Sequence, residues 1–289
     1  MRFGLILAIS AAVTACTDTG VGPAAPALDL RAEVERVAPF LSFEPFAPDE
    51  PTPAAFDSVA LWARPSATQL RTELGEPLLA VQWGMASGSK PTLRMLEGPS
   101  DCCAESILGV DRSMVVIRAS LLGIADVRGE VVHVGTETTV WWNEPASSGR
   151  TFIALIGKGL DDQSMLKVAG SMRPVARRSP VDSVLLYLST HESHNPSGHR
   201  VFLAVTTSPL PDEARIVKAT GEVITRGSFD RAQPHACLPG AAGVSALAVP
   251  LDVVQQFSRG QGNGYRAEAR IGSKWLQAAI VSSGCLTIE

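Results

Sequence analysis

A run of β-branched and aromatic residues lies just before residue 143. Residues 138–142 form two faces of β-branched and aromatic side chains, a pattern typical of a β-strand. Residues 143–150 hold a proline, two serines and a glycine, which favour a turn, and residues 151–156 are again apolar. These three segments predict a β-hairpin.

A helix is predicted after this hairpin, because the apolar spacing changes. Asp161 precedes it, at a position from which its carboxylate can accept hydrogen bonds from the first free N–H groups of a helix. Pro174 cannot continue a helix and ends the segment. One apolar stripe at helical spacing lies between these two residues: Met165, Val168, Ala169 and Met172.

The part of the chain before the hairpin predicts one more helix and several strands. Residues 30–38 carry apolar and charged residues on opposite helical faces. Residues 39–56 interleave prolines with phenylalanines, which favours an extended segment strapped across a core; a proline-rich ligand for a partner is the alternative. Short runs bounded by turn residues predict strands at 58–63, 78–83, 93–96, 114–118 and 130–134.

The second half of the chain predicts mostly strands. A charged, proline-bounded linker is expected at residues 175–180. Strands are expected at 181–191, 200–207, 215–226, 244–249, 265–271 and 275–282.

These patterns together predict an α+β fold with two domains. Residues 30–174 are expected to form a twisted antiparallel sheet with a helix on one face. Residues 181–289 are expected to form an antiparallel, β-rich, sandwich-like domain.

The net charge and the apolar runs limit the partners of the protein. The chain has 289 residues and a net charge of −4 at pH 7. This acidity argues against nucleic-acid binding, which depends on neutralising phosphates. No internal run reaches the ~18 apolar residues that cross a bilayer as a helix.

The N-terminus predicts export. Arg2 precedes a short apolar run at residues 3–12, which fits a secretory signal and is too short for a membrane anchor. Residues 13–16, Val-Thr-Ala-Cys, then resemble the lipobox of bacterial lipoproteins. The alternative is a simple secretory signal with a chance cysteine at this position.

The lipobox resemblance implies a lipid anchor. A signal peptide at residues 1–15 would be removed, and Cys16 would carry a diacylglyceryl group and an acyl chain such as palmitate. Several chains are needed, because one chain holds a protein on a membrane only marginally. Thr17 in place of Asp implies the outer membrane of a two-membrane bacterium, or the outer face of a single plasma membrane. Residues 16–29 predict a flexible tether.

A second resemblance covers about half the chain. Residues 30–174 resemble an uncharacterised extracytoplasmic domain of bacterial lipoproteins and anti-sigma-factor-like membrane proteins. The resemblance implies sensing or binding outside the cytoplasm and carries over no catalytic residue. Because this chain shows neither the cytoplasmic domain nor the membrane helix of the anti-sigma arrangement, we expect any signalling to need a partner. The segments that carry the resemblance read APFLSFEPFAPDEP, LLAVQW, LRMLEGP, VRGEVVHV, TTVWWNE and TFIALIGKGLDDQSMLKVAGSM.

Four cysteines remain beyond Cys16, and an even number in an oxidising compartment favours disulfides. A bond between Cys237 and Cys285 would tie a loop to the last strand of its own domain. The adjacent Cys102 and Cys103 could then form a strained, labile bond with a redox role, or a rigid turn. Pairing of each with Cys237 or Cys285 across the domains is the other alternative.

A histidine-rich turn gives the one candidate metal site. His191, His194 and His199 lie at the tip of a predicted hairpin. Their imidazoles can supply three corners of a tetrahedral zinc site, with Glu192 or a water as the fourth ligand. The spacing matches no established metal signature, so solvated histidines are the alternative reading.

We therefore expect a lipid-anchored cell-envelope protein that binds or senses an envelope protein or a small ligand, without a cofactor. Catalysis is disfavoured, because the sequence has no GxSxG elbow, phosphate loop or dinucleotide fingerprint. A zinc-binding protein or zinc-dependent hydrolase using residues 191–199 is the second hypothesis. A structural component of the envelope is the third.

Overall fold

The computed structural model describes residues 29–65, 72–85, 91–100, 111–119, 126–147, 149–176, 183–192, 199–206, 209–231, 241–250, 253 and 264–288. In these ranges no helix has both the length and the apolar character needed to span a bilayer.

Strands dominate the described chain. Helix α1 comprises Leu30–Val37 and continues as a 3-10 turn at Ala38–Phe40, and helix α2 comprises Asp162–Gly170. The strands are β1 (Phe46–Pro48), β2 (Phe56–Pro65), β3 (Thr72–Trp83), β4 (Thr92–Pro99), β5 (Asp111–Arg118), β6 (Val127–Val134), β7 (Glu137–Ala146), β8 (Gly149–Lys158), β9 (Met172–Pro174), β10 (Ser183–Glu192), β11 (His199–Val205), β12 (Glu213–Lys218), β13 (Val223–Ser228), β14 (Gly243–Val249), β15 (Tyr265–Ile271) and β16 (Lys274–Ile288).

Fourteen of these strands form one sheet, and β1 and β9 pair separately. The main path of the sheet runs β13-β12-β15-β16-β2-β3-β4-β8-β7-β6-β5, with β10, β11 and β14 branching from β16. Strand β16 connects the two halves of the chain. It pairs antiparallel with β15 and parallel with β10 and β2, and Val281 lies opposite Leu61 in the last of these pairs.

The predicted α+β fold with a separate sandwich is wrong. Strands from both halves share one hydrogen-bonded sheet, and two of its pairings are parallel. The apolar pattern of a strand reports which of its faces are buried, but it does not report which strand lies beside it. The domain limits at residues 174 and 181 stay a prediction.

The helices cover one face of the sheet, which we call the inner face. It carries Val140 and Trp142, whose side chains belong to the same core cluster as Met165 of α2. Gly157 lies under α2, where an added Cβ would be 2.5 Å from the Met165 sulfur, so the glycine lets the helix approach the sheet. The opposite side, which carries Trp141, is the outer face, because successive side chains on a strand alternate.

Two hydrophobic clusters fill the interior. The first joins both helices, the extended segment after α1 and the inner face, and it includes Val281 from β16. The second lies among β10–β12 and β14–β16 and is rich in aliphatic residues, including Leu186, Val201 and Ile216. The first cluster thus contains residues from both halves of the chain.

The predicted hairpin and helix near α2 are confirmed, but the loop predicted at residues 143–150 is too long, because β7 continues to Ala146 and β8 begins at Gly149, and Met172 lies in β9 rather than in the helix. Strands β7 and β8 pair as a hairpin, from Glu137 opposite Lys158 to Ala146 opposite Gly149. Asp161 caps α2, because its side chain accepts a hydrogen bond from the backbone N–H of Ser164 at 2.7 Å. That bond stabilises the ionised carboxylate and lowers the pKa of Asp161.

The extended segment predicted at residues 39–56 is also confirmed, and we call it the strap. Phe43 and Phe46 are buried in the first cluster. The backbone carbonyl of Pro45 accepts a hydrogen bond from Val175 at 2.8 Å. This pairs the strap with the residues that follow α2.

The single strand predicted at residues 215–226 is wrong, because the chain turns there. Strands β12 and β13 form a hairpin in which Arg215 lies opposite Arg226. Gly221, in the connecting turn, has a φ of +91°, a conformation that favours glycine. One glycine among β-compatible residues was the only turn signal in this stretch.

Candidate binding site

An open cavity lies on the outer face, near the end of the sheet formed by β5. Its volume is about 420 Å³. We call it the outer cavity and define it by six of its lining residues: Met114, Arg128, Glu130, Trp141, Asn143 and Arg150.

Strand alternation places these side chains on one face. Along β7, Val140 and Trp142 face the core, and the residues between and after them face outward. Trp141 lies opposite Glu130 on β6 and opposite Ala154 on β8. The small Ala154 leaves space beside the indole, whose ring lies 5.9 Å from that of Phe152 at an interplanar angle of 32°.

Two polar atoms in the cavity wall are buried without a hydrogen-bond partner. They are the indole Nε1 of Trp141 and the side-chain oxygen of Asn143, and the described chain offers neither of them a partner. Leaving such a group unsatisfied costs about 1–3 kcal/mol. The outer cavity is therefore lined by two residues that each hold an unsatisfied polar atom just beneath its wall, one a donor and one an acceptor.

The outer cavity is lined by two carboxylates, Asp126 and Glu130, and by two arginines. Glu130 forms an ion pair with Arg112 at 3.3 Å. Arg128 and Arg150 are exposed, and neither has an ion-pair partner within the described ranges. A carboxylate or a similar anion can accept hydrogen bonds from such a guanidinium group.

Strand β5 forms one end of the sheet. Among the described strands it pairs only with β6, from Asp111 opposite His133 to Arg118 opposite Val127. Its outward residues are apolar near the middle: Met114 is 66% exposed and Val116 is 49% exposed. The edge of β5 and the outer cavity are therefore neighbours on the same surface.

Two carboxyl groups meet inside the first cluster. Glu97 on β4 is fully buried and Glu144 on β7 is 4% exposed. Glu97 accepts a hydrogen bond from the backbone N–H of Phe46 at 2.9 Å, and its other oxygen has no partner within the described chain. Burial raises the pKa of Glu97 well above its ordinary value; the Phe46 bond opposes this rise, and the charge of Glu144 adds to it.

Glu144 is held by its own partners. It forms an ion pair with Arg118 and accepts a hydrogen bond from the indole of Trp142 at 2.8 Å. Since neither Glu97 nor Glu144 is open to solvent, the two groups cannot act on a substrate. They fasten the strap and β7 to the core instead.

A second charged group lies on β12, β15 and β16. Burial disfavours the ionised form of Glu268, but hydrogen bonds from Arg266 and Arg215 outweigh it, so the pKa of Glu268 is lowered. Arg215 also lies over the ring of Trp275, 4.0 Å from its centroid. These side chains satisfy one another, so the group supports the sheet and is a weaker candidate site than the outer cavity.

Most residues singled out from the sequence lie outside the described chain. This holds for Cys16, Cys102, Cys103, Cys237 and His194. Lipidation and the disulfide pairings therefore stay predictions.

The backbone of the histidine turn is partly described. His191 lies opposite Arg200 in the β10–β11 pair, which confirms the predicted hairpin, and His199 begins β11. Cys285 lies within β16. No group of three or more His, Cys, Asp or Glu side chains suited to a metal occurs within the described ranges, and the zinc site, which needs His194, stays a prediction.

The sequence analysis assigned no binding role to Trp141, Asn143 or Arg128. Trp141 and Asn143 lie in a stretch that was interpreted as a folding unit, and their signal was an aromatic residue on the polar side of an alternating strand. Glu97 was also missed. Its signal was a carboxylate at an alternate position after Leu93 and Met95, on a face that is otherwise apolar.

Comparisons with known proteins identify no family for the chain and give two weak structural matches. No family model matches the chain, and no curated protein matches it. A chain from the complex structure of Pseudomonas aeruginosa MucA/MucB matches with 13% identity and a TM-score of 0.28, over 45% of this chain and 35% of that chain. A chain from the structure of MucB in complex with MucA(peri) matches with 14% identity and a TM-score of 0.28, over 45% of this chain and 37% of that chain.

The aligned part thus spans little more than a third of the length of those two chains. Likenesses of this size do not establish a shared fold or function. The resemblance of residues 30–174 to extracytoplasmic domains stays a prediction.

Proposed function

We propose that this protein is a non-catalytic binding protein of the bacterial cell envelope, and that its ligand occupies the outer cavity. The observation that carries the proposal is the pair of unpartnered buried atoms, Trp141 Nε1 and the Asn143 oxygen, in the wall of an open cavity. A ligand with a matching acceptor and donor would offset the cost of leaving both atoms unsatisfied.

Binding is favoured over catalysis by the chemistry of the cavity wall. Its described lining contains no serine, cysteine or histidine, and of its two carboxylates Glu130 is held in an ion pair with Arg112. It combines instead an aromatic ring, an amide and two arginines, which suit the recognition of a ligand with polar and apolar parts.

The proposal includes a lipid anchor at Cys16 and a tether at residues 16–29. Replacing Cys16 with serine removes the thiol that accepts the lipid, so Cys16→Ser is expected to move the protein from the membrane pellet to the soluble fraction. Fractionation of cells that express each form, with mass measurement of the N-terminal peptide, tests this. A Cys16→Ser protein that stays in the pellet at the wild-type level contradicts the anchor.

Site-specific photo-crosslinking tests the outer cavity. A photoreactive amino acid replaces Met114, which is 66% exposed at the cavity, or Val223, which is 44% exposed on β13 at the far end of the sheet. Illumination of intact cells is expected to give a discrete adduct at position 114 and none at position 223. No adduct at 114, or equal adducts at both positions, contradicts the proposal.

A further inference from the structure

We infer that the ligand of the outer cavity is an extended, acidic peptide segment that pairs with the free edge of β5. The inference rests on the proposed binding function and names the class of its ligand. It starts from the backbone of β5. All its described pairings are with β6, and within the described ranges no other strand pairs with the N–H and C=O groups directed away from β6.

The side chains of β5 do not protect this edge. Proteins commonly blunt a free edge with charged residues, proline or a short strand. Strand β5 has eight residues, carries its charges at the ends and has its register shift after Val116, so the stretch that holds the exposed Met114 and Val116 is regular. An added strand could therefore pair there and cover both apolar side chains.

The positive charge of Arg128, near the edge of β5, favours an acidic residue in the peptide. Arg128 is exposed on β6, directly opposite Val116. Neighbouring strands are about 4.8 Å apart, so an added strand lies about 10 Å from β6, within the combined reach of a glutamate and an arginine. Because Arg128 has no ion-pair partner in the described chain, an acidic residue opposite Val116 is favoured.

The outer cavity favours a large side chain at a second position of the peptide. Met114 lies two residues from Val116 and on the same face, in line with Glu130 and Trp141. A long side chain on the added strand, opposite Met114, can lean across it toward Glu130, at the near wall of the outer cavity. The preferred segment therefore has an acidic residue and a large residue separated by one position.

The test uses 12-residue peptides displayed on phage and selected on the full-length protein in detergent. Selected peptides are expected to carry an acidic and a large residue at alternate positions. Arg128→Gln should weaken their binding about tenfold, the loss expected for one charge-assisted hydrogen bond. Arg226→Gln, which changes an exposed arginine on β13 at the far end of the sheet, should leave the affinity unchanged.

N-methylation of the selected peptide separates strand addition from binding by side chains alone. Alternate N–H groups of a paired strand point toward its neighbour, so methylating one alternate set should abolish binding and methylating the other set should not. Retention of binding in both sets overturns the inference. So does failure to enrich any peptide, or equal weakening by Arg128→Gln and Arg226→Gln.

A ligand other than a peptide at the edge of β5 and the outer cavity would give a different experimental result. A second copy of the chain would give a dimer mass in light scattering that the Met114→Lys/Val116→Lys variant loses. A free organic anion would give a small, non-peptide adduct at position 114. Either result overturns the inference, and the small adduct does so while leaving the proposed binding function intact.

Discussion

At the scale of single residues, Glu97 adds a pH-dependent term to the stability of the protein. Its pKa in the folded chain lies well above the ordinary value of 4.5, because the carboxyl group is buried. Between the two pKa values the folded chain holds one more proton than the unfolded chain. The free energy of unfolding therefore falls as pH rises above about 4.5 and levels off above the folded-state pKa.

Replacing Glu97 with glutamine is expected to stabilise the protein at neutral pH by about 1–3 kcal/mol, because a neutral amide can still accept from Phe46 without burying a charge. In the variant, the free energy of unfolding should no longer fall as the pH rises above 4.5. Urea unfolding at several pH values measures both effects. Glu137→Gln, at an exposed ion pair with Arg94, is the matched control and should change stability by less than about 0.5 kcal/mol. Equal behaviour of the two variants contradicts the role of Glu97.

Sequence reasoning at this scale succeeded where the signal was local and failed where it was not. The cap at Asp161 could be predicted, because capping depends on residues within one helical turn. The contact of Glu97 with Phe46 and Glu144 could not, since the three residues lie on separate elements that only the folded chain brings together.

At the scale of elements, β6 packs tightly against β7 at Gly129. A Cβ at this position would lie 2.5 Å from the carbonyl oxygen of Trp141 and 3.0 Å from the Cβ of Trp142. The backbone of β7 must shift to accept it. Gly129→Ala is therefore expected to destabilise the protein by about 1–3 kcal/mol.

Gly170→Ala is the control for this prediction, because the same methyl group enters at a position with space. Its Cβ would meet only the carbonyl oxygen of Ile117, at 3.4 Å, and Gly170 lies in α2, where alanine is favoured by about 1 kcal/mol. Thermal unfolding of both variants is expected to show a lower midpoint for Gly129→Ala and an unchanged or higher midpoint for Gly170→Ala. The reverse order contradicts the close approach at Gly129.

Individual strands were easier to predict than their connections. Alternation identified β7 and β8, because burial on one face imposes a period of two residues. The turn between β12 and β13 was missed, since Gly221 alone interrupts an otherwise β-compatible run. The outer cavity was missed because its wall combines β5, β6, β7 and β8, and no single strand contains a recognisable motif.

At the scale of the whole molecule, the junction of β2 and β16 couples the two halves of the chain. Leu61 is buried there, opposite Val281, and both belong to the first core cluster. Leu61→Ala is expected to cost about 2–5 kcal/mol through the cavity it creates. Because the sheet is continuous, β3 and β12 should lose stability together.

Hydrogen exchange measures this coupling directly. Amides of β3 and β12 are expected to lose protection to the same extent in Leu61→Ala. Ala246, which is exposed on β14, provides a surface position for comparison, and Ala246→Gly should cause a smaller loss. Loss of protection confined to β3 and its neighbours would show that the two halves unfold independently.

The pairing of β16 with β2 also determines when this protein can fold. Strand β2 lies far before β16 in the sequence, so in an exported chain the parallel junction at Leu61 and Val281 forms only after the long segment between them has crossed the membrane. Contacts between such distant parts of a chain form slowly, because a long loop must close first. Until then the unpaired strands remain exposed to proteases and to one another. We therefore expect an exported chain to depend on envelope chaperones until β16 has paired with β2.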